Sequence, residues 1–454
     1  MSDAIFSANE LAECTNGSWL NNKYPSAGLS ISTDTRIDNR GKIFFALAGE
    51  RFDAHDFLVQ AVKSGCEALC INREKLPLAP ADIPVLTVEN TLLAMQSCAR
   101  YHRRRFTGLT LFGVTGSVGK TSVKEMLMAI CSAVSDGCAL CTVGNTNNQI
   151  GVAQNLLRLT EKHRFAVIEA GTSSPGEIEP LGKMMMPSGA IINSIAPCHL
   201  EKLIDLNGVA QEKGTVFYAL DGSAAAVFPE ETAGKEILIQ AAGNNRILTF
   251  GMDGKGDVSA VFKGGDLAGS SFELTFPDGS KYEVCWQLTG RHNALNAAGA
   301  AALAYSAGIP PAQIASALPG TVLPGMRMKK TVLNGITFYN DAYNANPSSM
   351  NASLDLLAST PLPGKLILVL GGMRELGESS TAAHRELLSD ARKKLPEAKI
   401  ITIGDEFAGL SDCHFSQSAD AAEYLLSLLT CGDTVFAKGS RGNAVEMALP
   451  PEAR

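Results

Sequence analysis

No apolar run in this chain approaches the ~18–20 consecutive residues of a membrane-spanning helix, so no membrane insertion is expected. Positive charge is not in excess either. Against 39 Lys and Arg stand 46 Asp and Glu, a formal net charge of −7. That balance argues against nucleic acid as a general partner, because such partners favour basic surfaces. The opening MSDAIFSANELAEC has neither the basic nor the apolar region of a signal peptide. The eleven cysteines are scattered, and a chain this long needs no disulfide framework. Both observations point to a cytoplasmic protein with mostly reduced thiols. Cys138 and Cys141 have C-x-x-C spacing, but no second pair lies near them. A structural zinc site usually needs four ligands, so packing cysteines are expected there. No short-period repeat and no low-complexity tract is present.

What remains is an ordinary globular composition, 45% hydrophobic and 19% charged. At 454 residues it suggests about two or three domains. Residues 1–87 alternate short apolar runs (GKIFFALAG, CEALCIN, IPVLTVE) with helical patterns, as a small α/β domain would. A helical stretch, NTLLAMQSCARYHRRRF, follows. Its cluster Arg100, His102, Arg103, Arg104 and Arg105 reads as a solvated helix end. Residues 88–312 form a second unit with strands FAVIEAG, AIINSIA and AAAVFP separated by helices, which predicts a parallel sheet. From RILTFG to KYEVCWQLTG the pattern becomes short alternating strands with turn signals, predicting an antiparallel sheet appended to the parallel one. Residues 313–454 alternate strands (GITFYNDAY, KLILVLGG, AKIITIGD, DTVFAKGS) with helices, predicting a Rossmann-like α/β domain.

The most informative stretch is LFGVTGSVGKTSVK, residues 111–124. An apolar strand ends in a glycine turn that opens into a helix. Glycines let backbone N–H groups converge on phosphate oxygens, and the helix N-terminus adds partial positive charge. Lys120 can reach terminal phosphates and Thr121 can hold Mg²⁺. Gly116, Ser117, Gly119 and Ser122 complete the turn. The generic phosphate-loop pattern places a further glycine where this chain has Val114.

Other candidates sit where strands end, the usual ligand edge of an open α/β sheet. Glu169 closes FAVIEAG and suits a second Mg²⁺ ligand, or is an ordinary strand-end acid. His199 either ligates metal or caps a loop; Cys198 beside it raises a thiol nucleophile. Asn145 to Asn148 form an amide-rich segment that suits an uncharged polar substrate or a plain turn. Lys213 lies in a helical pattern and reads, on pattern alone, as a surface charge. Asp341, Asn344 and Asn346 close a strand in the third unit, where an acid can bond ribose. Lys438 and Arg441 close the last strand and suit a carboxylate or phosphate.

In order, TGSVGKTS, GNTNNQIG, IEAGTSSPGEI, HLE, GRHNALNA, DAYNANPSSM, ELGE and KGSRG resemble the Mur ligase family. ISTDTR and FFALAGERFDAHDF resemble its UDP-binding N-terminal domain, so the likeness spans nearly the whole chain. The resemblance implies three domains: a UDP-sugar domain, a central ATPase and a C-terminal ligase domain. GNTNN and YNANP point to the member that joins D-alanyl-D-alanine to UDP-N-acetylmuramoyl-tripeptide, in peptidoglycan precursor synthesis. The implied chemistry is ATP-driven amide formation through an acyl phosphate, with two Mg²⁺ ions. Thr121 and Glu169 would hold one ion, and His199 and a carbamylated Lys213 the second. Asn293 and Asn296 would lie near adenine, Asp341 at ribose and Arg327 at the phosphates. Ser32, Thr35 and Arg36 would hold uridine diphosphate, and Asn147 and Asn148 would face the peptide or sugar. One chain suffices for these substrates, so a monomer is expected. Sibling ligases adding a single amino acid, a nucleotide-gated regulator and a small-molecule kinase are the competing readings. Two departures stand out: the family usually has KGEI where this chain has Lys213-Gly-Thr-Val216, and LGDM where it has Leu370-Gly-Gly-Met373.

Overall fold

The computed structural model describes residues 5–49 and 52–454; Glu50 and Arg51 of FFALAGERFDAHDF, and residues 1–4, lie outside the described residues. Three sheets follow one another along the chain.

The first sheet holds β1 (Ser18–Trp19), β2 (Ser30–Ser32), β3 (Lys42–Phe45), β4 (Ala68–Asn72) and β5 (Val85–Val88), in the order β1-β5-β4-β3-β2. All pairs are parallel except β1 with β5. Helices α1 (Ala8–Thr15), α2 (Leu58–Lys63) and α3 (Thr91–Arg104) accompany it. Ser7 and Glu10 form a capping box that starts α1.

The central sheet has nine strands: β6 (Thr110–Thr115), β7 (Ala139–Cys141), β8 (Phe165–Glu169), β9 (Gly189–Ile192), β10 (Ala225–Pro229), β11 (Arg246–Met252), β12 (Val258–Asp266), β13 (Gly269–Thr275) and β14 (Lys281–Trp286). Its order is β14-β13-β12-β11-β10-β9-β6-β8-β7. Strands β7 to β12 with β6 are parallel, and β12-β13-β14 are antiparallel. The antiparallel strands therefore extend the same sheet. RILTFG, expected among them, pairs in parallel with both neighbours as β11, because its middle is buried on both faces.

Helices α4 (Lys120–Val134), α5 (Gln149–Leu156), α6 (Ile178–Met185), α7 (Leu200–Leu203), α8 (Leu206–Gly214), α9 (Lys235–Ala242), α10 (Arg291–Ser306) and α11 (Pro311–Ala317) cover this sheet. The alanines of α10 let it lie close to the strands: a Cβ on Gly299 would sit 2.9 Å from both Ile191 and Phe250. Residue 313, the expected start of the third unit, falls inside α11, which packs on α4 and β14. The elements of the third sheet begin at Lys329.

That sheet runs β15-β16-β20-β17-β18-β19, from β15 (Lys329–Leu333), β16 (Ile336–Asn340), β17 (Leu366–Gly371), β18 (Lys399–Ile403), β19 (His414–Phe415) and β20 (Thr434–Lys438). Only β15 is antiparallel to its neighbour. Helices α12 (Pro347–Ser359), α13 (Ser380–Lys394) and α14 (Ser418–Leu428) pack on its faces.

One apolar core joins the first unit to a face of the central sheet: Phe6, Leu11, Met95 and Cys98 belong with Leu111, Leu156 and Met185. The basic end of α3 takes part in that junction and is not simply solvated. His102 and Arg103 are buried. Arg103 donates to the carbonyls of Met185, Met186 and Phe106, so it satisfies the C-terminal end of α6. Arg105 pairs with Glu10 on α1 at 2.8 Å and lies over the rings of Phe6 and Tyr101. Arg100 and Arg104 are exposed, as the sequence pattern predicts. Among the described residues, no helix is long and apolar enough to cross a membrane.

Candidate active site

The glycine turn sits between β6 and α4, at the C-terminal edge of the central sheet. Its backbone needs glycine in two places. Gly116 has φ +147° and a Cβ there would fall 1.8 Å from Asn193 Oδ1; Gly119 has φ +80° and its Cβ would meet Asn193 and Asn296. Asn193 closes the turn by donating to the Val118 carbonyl, while its buried Oδ1 has no hydrogen-bond partner among the described residues. Ser117 N–H donates to Ser194 O at 2.9 Å and Ser117 Oγ to Ala196 O at 3.0 Å. The Lys120 ammonium curls onto the turn, 2.8 Å from Gly116 O.

Glu169, 1% exposed at the end of β8, receives the Thr121 hydroxyl at 3.0 Å and the Asn147 amide at 2.8 Å. Its own N–H donates to Thr142 Oγ1, and buried Lys124 donates to Thr142 O. Asn148 has a local job: its side chain caps α5 through Gly151 N–H. Among the described residues no three His, Cys, Asp or Glu side chains form a ready metal cage. A hydroxyl and one carboxylate beside a phosphate cradle still suit Mg²⁺, which keeps waters and shares substrate phosphates. The donor set therefore fits that ion.

His199 takes a left-handed conformation, φ +52°, at the start of α7 and makes no side-chain cap. Its Nδ1 lies 2.9 Å from Glu375 Oε2 of the third unit. The hydrogen bond from His199 holds the Glu375 carboxyl below its ordinary range. The Cys198 thiol points instead at Ser117 Oγ, 3.3 Å away.

Lys213 is not a surface charge; it is 1% exposed. Burial, and then the neighbouring Lys120 charge, lower its ammonium pKa to about 8. Beside it, buried Glu212 accepts from the N–H groups of Gly176, Glu177 and Ile178 and so holds the start of α6.

The third unit supplies the far wall. Asp341 at the end of β16 pairs with buried Lys438 of β20 at 2.5 Å and accepts from Met328 N–H. Arg327 lies 3.8 Å over the Tyr343 ring. Asn346 caps α12 in a capping box with Ser349, and Asn344 bonds its own neighbour, Ala345 N–H.

These groups surround one cavity of about 690 Å³. It is lined by Ser117, Gly119, Lys120, Thr121, Ser122, Glu169, Asn147, Asn148, His199, Asn293, Asn296, Arg327, Asp341, Asn344, Asn346 and Lys438, bringing together most of the residues singled out from sequence. Gly116 and Lys213 are not among the lining residues. Arg441 is not among the lining residues; it pairs with Glu446 at 2.7 Å. A second cavity of about 300 Å³ lies between the first and central units, lined by Ser32, Thr33, Asp34, Gln154 and Arg158 among others. Thr35 and Arg36 do not line it. The Arg36 guanidinium, 83% exposed, is turned back in a two-pronged pair with Asp34, which holds that carboxyl down at about 2.

Sequence reasoning missed Asn193, Glu212, Tyr343 and Glu375. Glu375 stands inside the quoted ELGE, which was the available signal.

Residues 114–304 match the Mur ligase middle domain, and residues 326–441 match the Mur ligase, glutamate ligase domain. UDP-N-acetylmuramoyl-tripeptide–D-alanyl-D-alanine ligase of Haemophilus influenzae is 36% identical over 429 residues, covering 92% of each chain. The protein of the same name from Escherichia coli is 36% identical over 426 residues, with 92% of each chain covered. A crystal structure of MurF from Acinetobacter baumannii superposes with a TM-score of 0.90 at 30% identity, covering 98% of each chain.

Proposed function

The chain belongs to the Mur ligase family, and from that premise we propose that it joins D-alanyl-D-alanine to UDP-N-acetylmuramoyl-tripeptide at the expense of ATP. The observation that carries this reading is that a phosphate cradle of the central sheet and polar groups of the third sheet open on one cavity. The relatives named above bear that reaction in their names.

A free carboxylate is a poor acyl donor because oxide leaves badly. ATP, consumed as a substrate, solves this. A carboxylate oxygen of the tripeptide attacks the γ-phosphorus, ADP departs, and an acyl phosphate forms. The amine of the dipeptide then adds to the acyl carbon, loses a proton and expels phosphate, leaving an amide. Two anions must meet in the first step, so positive charge between them is the central requirement. Lys120 provides one such charge, once its ammonium leaves the carbonyls of Gly116 and Ser117. Magnesium, one ion held by Thr121 and Glu169 and a second by His199, would supply the rest.

The lowered pKa of Lys213 favours its neutral amine, the form that can take up carbon dioxide and become an anionic carbamate. That modification would turn a buried cation beside Lys120 into a group suited to a second ion. Asn293 and Asn296 border the adenine end, and Asp341 with Lys438 the ribose. Asn147, through its bond to Glu169, ties the peptide side to the metal side. The smaller cavity at Ser32 and Arg158 is the place for uridine diphosphate. The division of labour is UDP-sugar binding in the first unit, phosphate chemistry in the central one and ligation in the third. The enzyme works as a cytoplasmic monomer.

The test is a product assay by mass with UDP-tripeptide, dipeptide and ATP. One amide product and one ADP per turnover are expected. Reaction with single amino acids in place of the dipeptide would assign a sibling ligase, and a stable phosphorylated product without amide would assign a kinase.

A further inference from the structure

The contact between His199 and Glu375 has three features that a chance surface pair lacks. First, both residues are non-glycine and both hold left-handed backbone, φ +52° and +65°. Side chains with a Cβ seldom adopt that region, and such strain persists only where the surroundings impose it. Two strained residues from different sheets meet at 2.9 Å. Second, the segment presenting Glu375 is anchored just before it. Met373 N–H donates to the buried ring of His384 at 2.8 Å, and Arg374 N–H donates to Ser440 Oγ at 3.0 Å. Third, the His199 ring is not spent on capping α7; its contact to Glu375 is through Nδ1, which leaves Nε2 for another partner, and His199 lines the cavity.

A histidine that ligates a cation is commonly oriented by a carboxylate on its other nitrogen, and loss of that partner weakens metal binding about 10–100-fold. We infer that Glu375 is a positioning residue of this kind. It holds the His199 ring through Nδ1 so that Nε2 serves a divalent cation, and it makes the cation site depend on the third unit. The inference rests on the metal–nucleotide reading of the cradle given above. Glu375 itself touches neither substrate nor phosphate in this role.

The test titrates Mn²⁺ into the full-length protein loaded with a non-hydrolysable ATP analogue, reading free Mn²⁺ by electron paramagnetic resonance. Glu375→Ala should weaken binding of the second Mn²⁺, the one that His199 would hold, about 10-fold, and Glu375→Asp should recover part of the loss. Affinity for the analogue in EDTA should not fall below wild type, because the loss of Glu375 only removes a negative charge from the neighbourhood of Lys120. A purely structural role would lower both affinities together. Unchanged Mn²⁺ binding in Glu375→Ala would overturn the inference, as would an equal loss in EDTA. Should Glu375→Ala fold poorly, Glu375→Gln keeps the side-chain size and carries the same comparison. Failure of wild type to take up Mn²⁺ with the analogue would overturn the nucleotide reading itself, which is a different result from a wild-type site that the variants leave unaltered.

Discussion

Thr121 Oγ1 lies 3.0 Å from Glu169 Oε2, which joins the first turn of α4 to the end of β8. The pairing of β6 with β8 makes this contact possible, since Val114 stands opposite Glu169 in the parallel register. The glycine turn that follows β6 then brings the hydroxyl back over its neighbour strand. Strand order thus brings the glycine turn and the strand-end acid together. Lys120 is the third member, and among the described residues it donates to two carbonyls of its own turn.

Lys120→Ala should therefore leave the fold intact and abolish useful ligation. Removing one preorganised partner of a developing charge commonly costs about 10²–10³ in kcat. The check is amide formation measured beside a thermal melt. Turnover near wild type, with an unchanged melting temperature, would contradict the assignment.

Lys213 makes stability depend on pH in a definite direction. Protonating it is unfavourable in the folded chain, where its pKa is about 8, and ordinary in the unfolded chain, near 10.5. Below pH 8 both states hold the proton and the folded chain bears the whole penalty, about 3 kcal/mol at ~1.4 kcal/mol per pH unit. Between pH 8 and 10.5 the folded chain has released a proton that the unfolded chain keeps, so stability rises with pH. In buffer free of carbon dioxide, Lys213→Met should be more stable than wild type below pH 8, and the gap should close towards pH 10.5. A gap that stays constant over that range in denaturant melts would show that the amine is not buried as a cation. In the activity assay, Lys213→Ala should be weak and partly restored by short carboxylic acids, which can occupy the place of a carbamate.

Gly119 and Gly137 share φ +80° but differ in surroundings. A Cβ at Gly137 meets nothing within 4 Å, whereas one at Gly119 would lie 2.7 Å from Asn193 Nδ2 and 2.8 Å from Asn296 Oδ1. Gly137→Ala should cost only backbone strain, about 1–2 kcal/mol, and leave nucleotide affinity alone. Gly119→Ala should cost that much and also weaken nucleotide binding at least ~10-fold, because the amides that line the cradle must move. Equal nucleotide affinities in the two variants would count against the cradle.

The strands that carry these groups were legible because fully buried parallel strands are short apolar runs bounded by turn residues: Phe165–Glu169, Leu366–Gly371 and Thr434–Lys438 all read that way. β15 was not, since its Lys329, Lys330 and Thr331 sit on a partly exposed edge and lack alternation. Charged residues were read with the least success. Arg103 and Lys213 carry the same sequence signal as surface residues, and only the packing of α3 against α6 and the burial of α8 distinguish them. Arg441 sits beside a glycine turn as an anion-binding residue would, yet it is occupied by Glu446. Glu375 stands in the ELGE motif, but its role was not legible there, because a left-handed backbone and a partner on another unit of the chain leave no local trace.

The Gly-Gly departure at residues 371–372 has a physical account that can be tested by reversal. A Cβ at Gly372 would fall 2.2 Å from Glu406 Oε2 and 2.8 Å from Asn443 Nδ2, so the position an aspartate would fill is already taken by the carboxylate of Glu406 and its neighbour Asn443. Arg374 faces the same carboxylate at 3.6 Å and also donates to Asn443 Oδ1. Gly372→Asp alone should be destabilising through overpacking and like charge, on the order of 2–3 kcal/mol. Glu406→Ala alone should cost less, because it removes a loosely paired carboxylate. In the double variant the new aspartate enters the space that Glu406 leaves and can face Arg374. The two changes should therefore couple favourably by about 1–3 kcal/mol in a thermodynamic cycle. Additive losses in denaturant midpoints would mean that Glu406 does not occupy the missing aspartate's place.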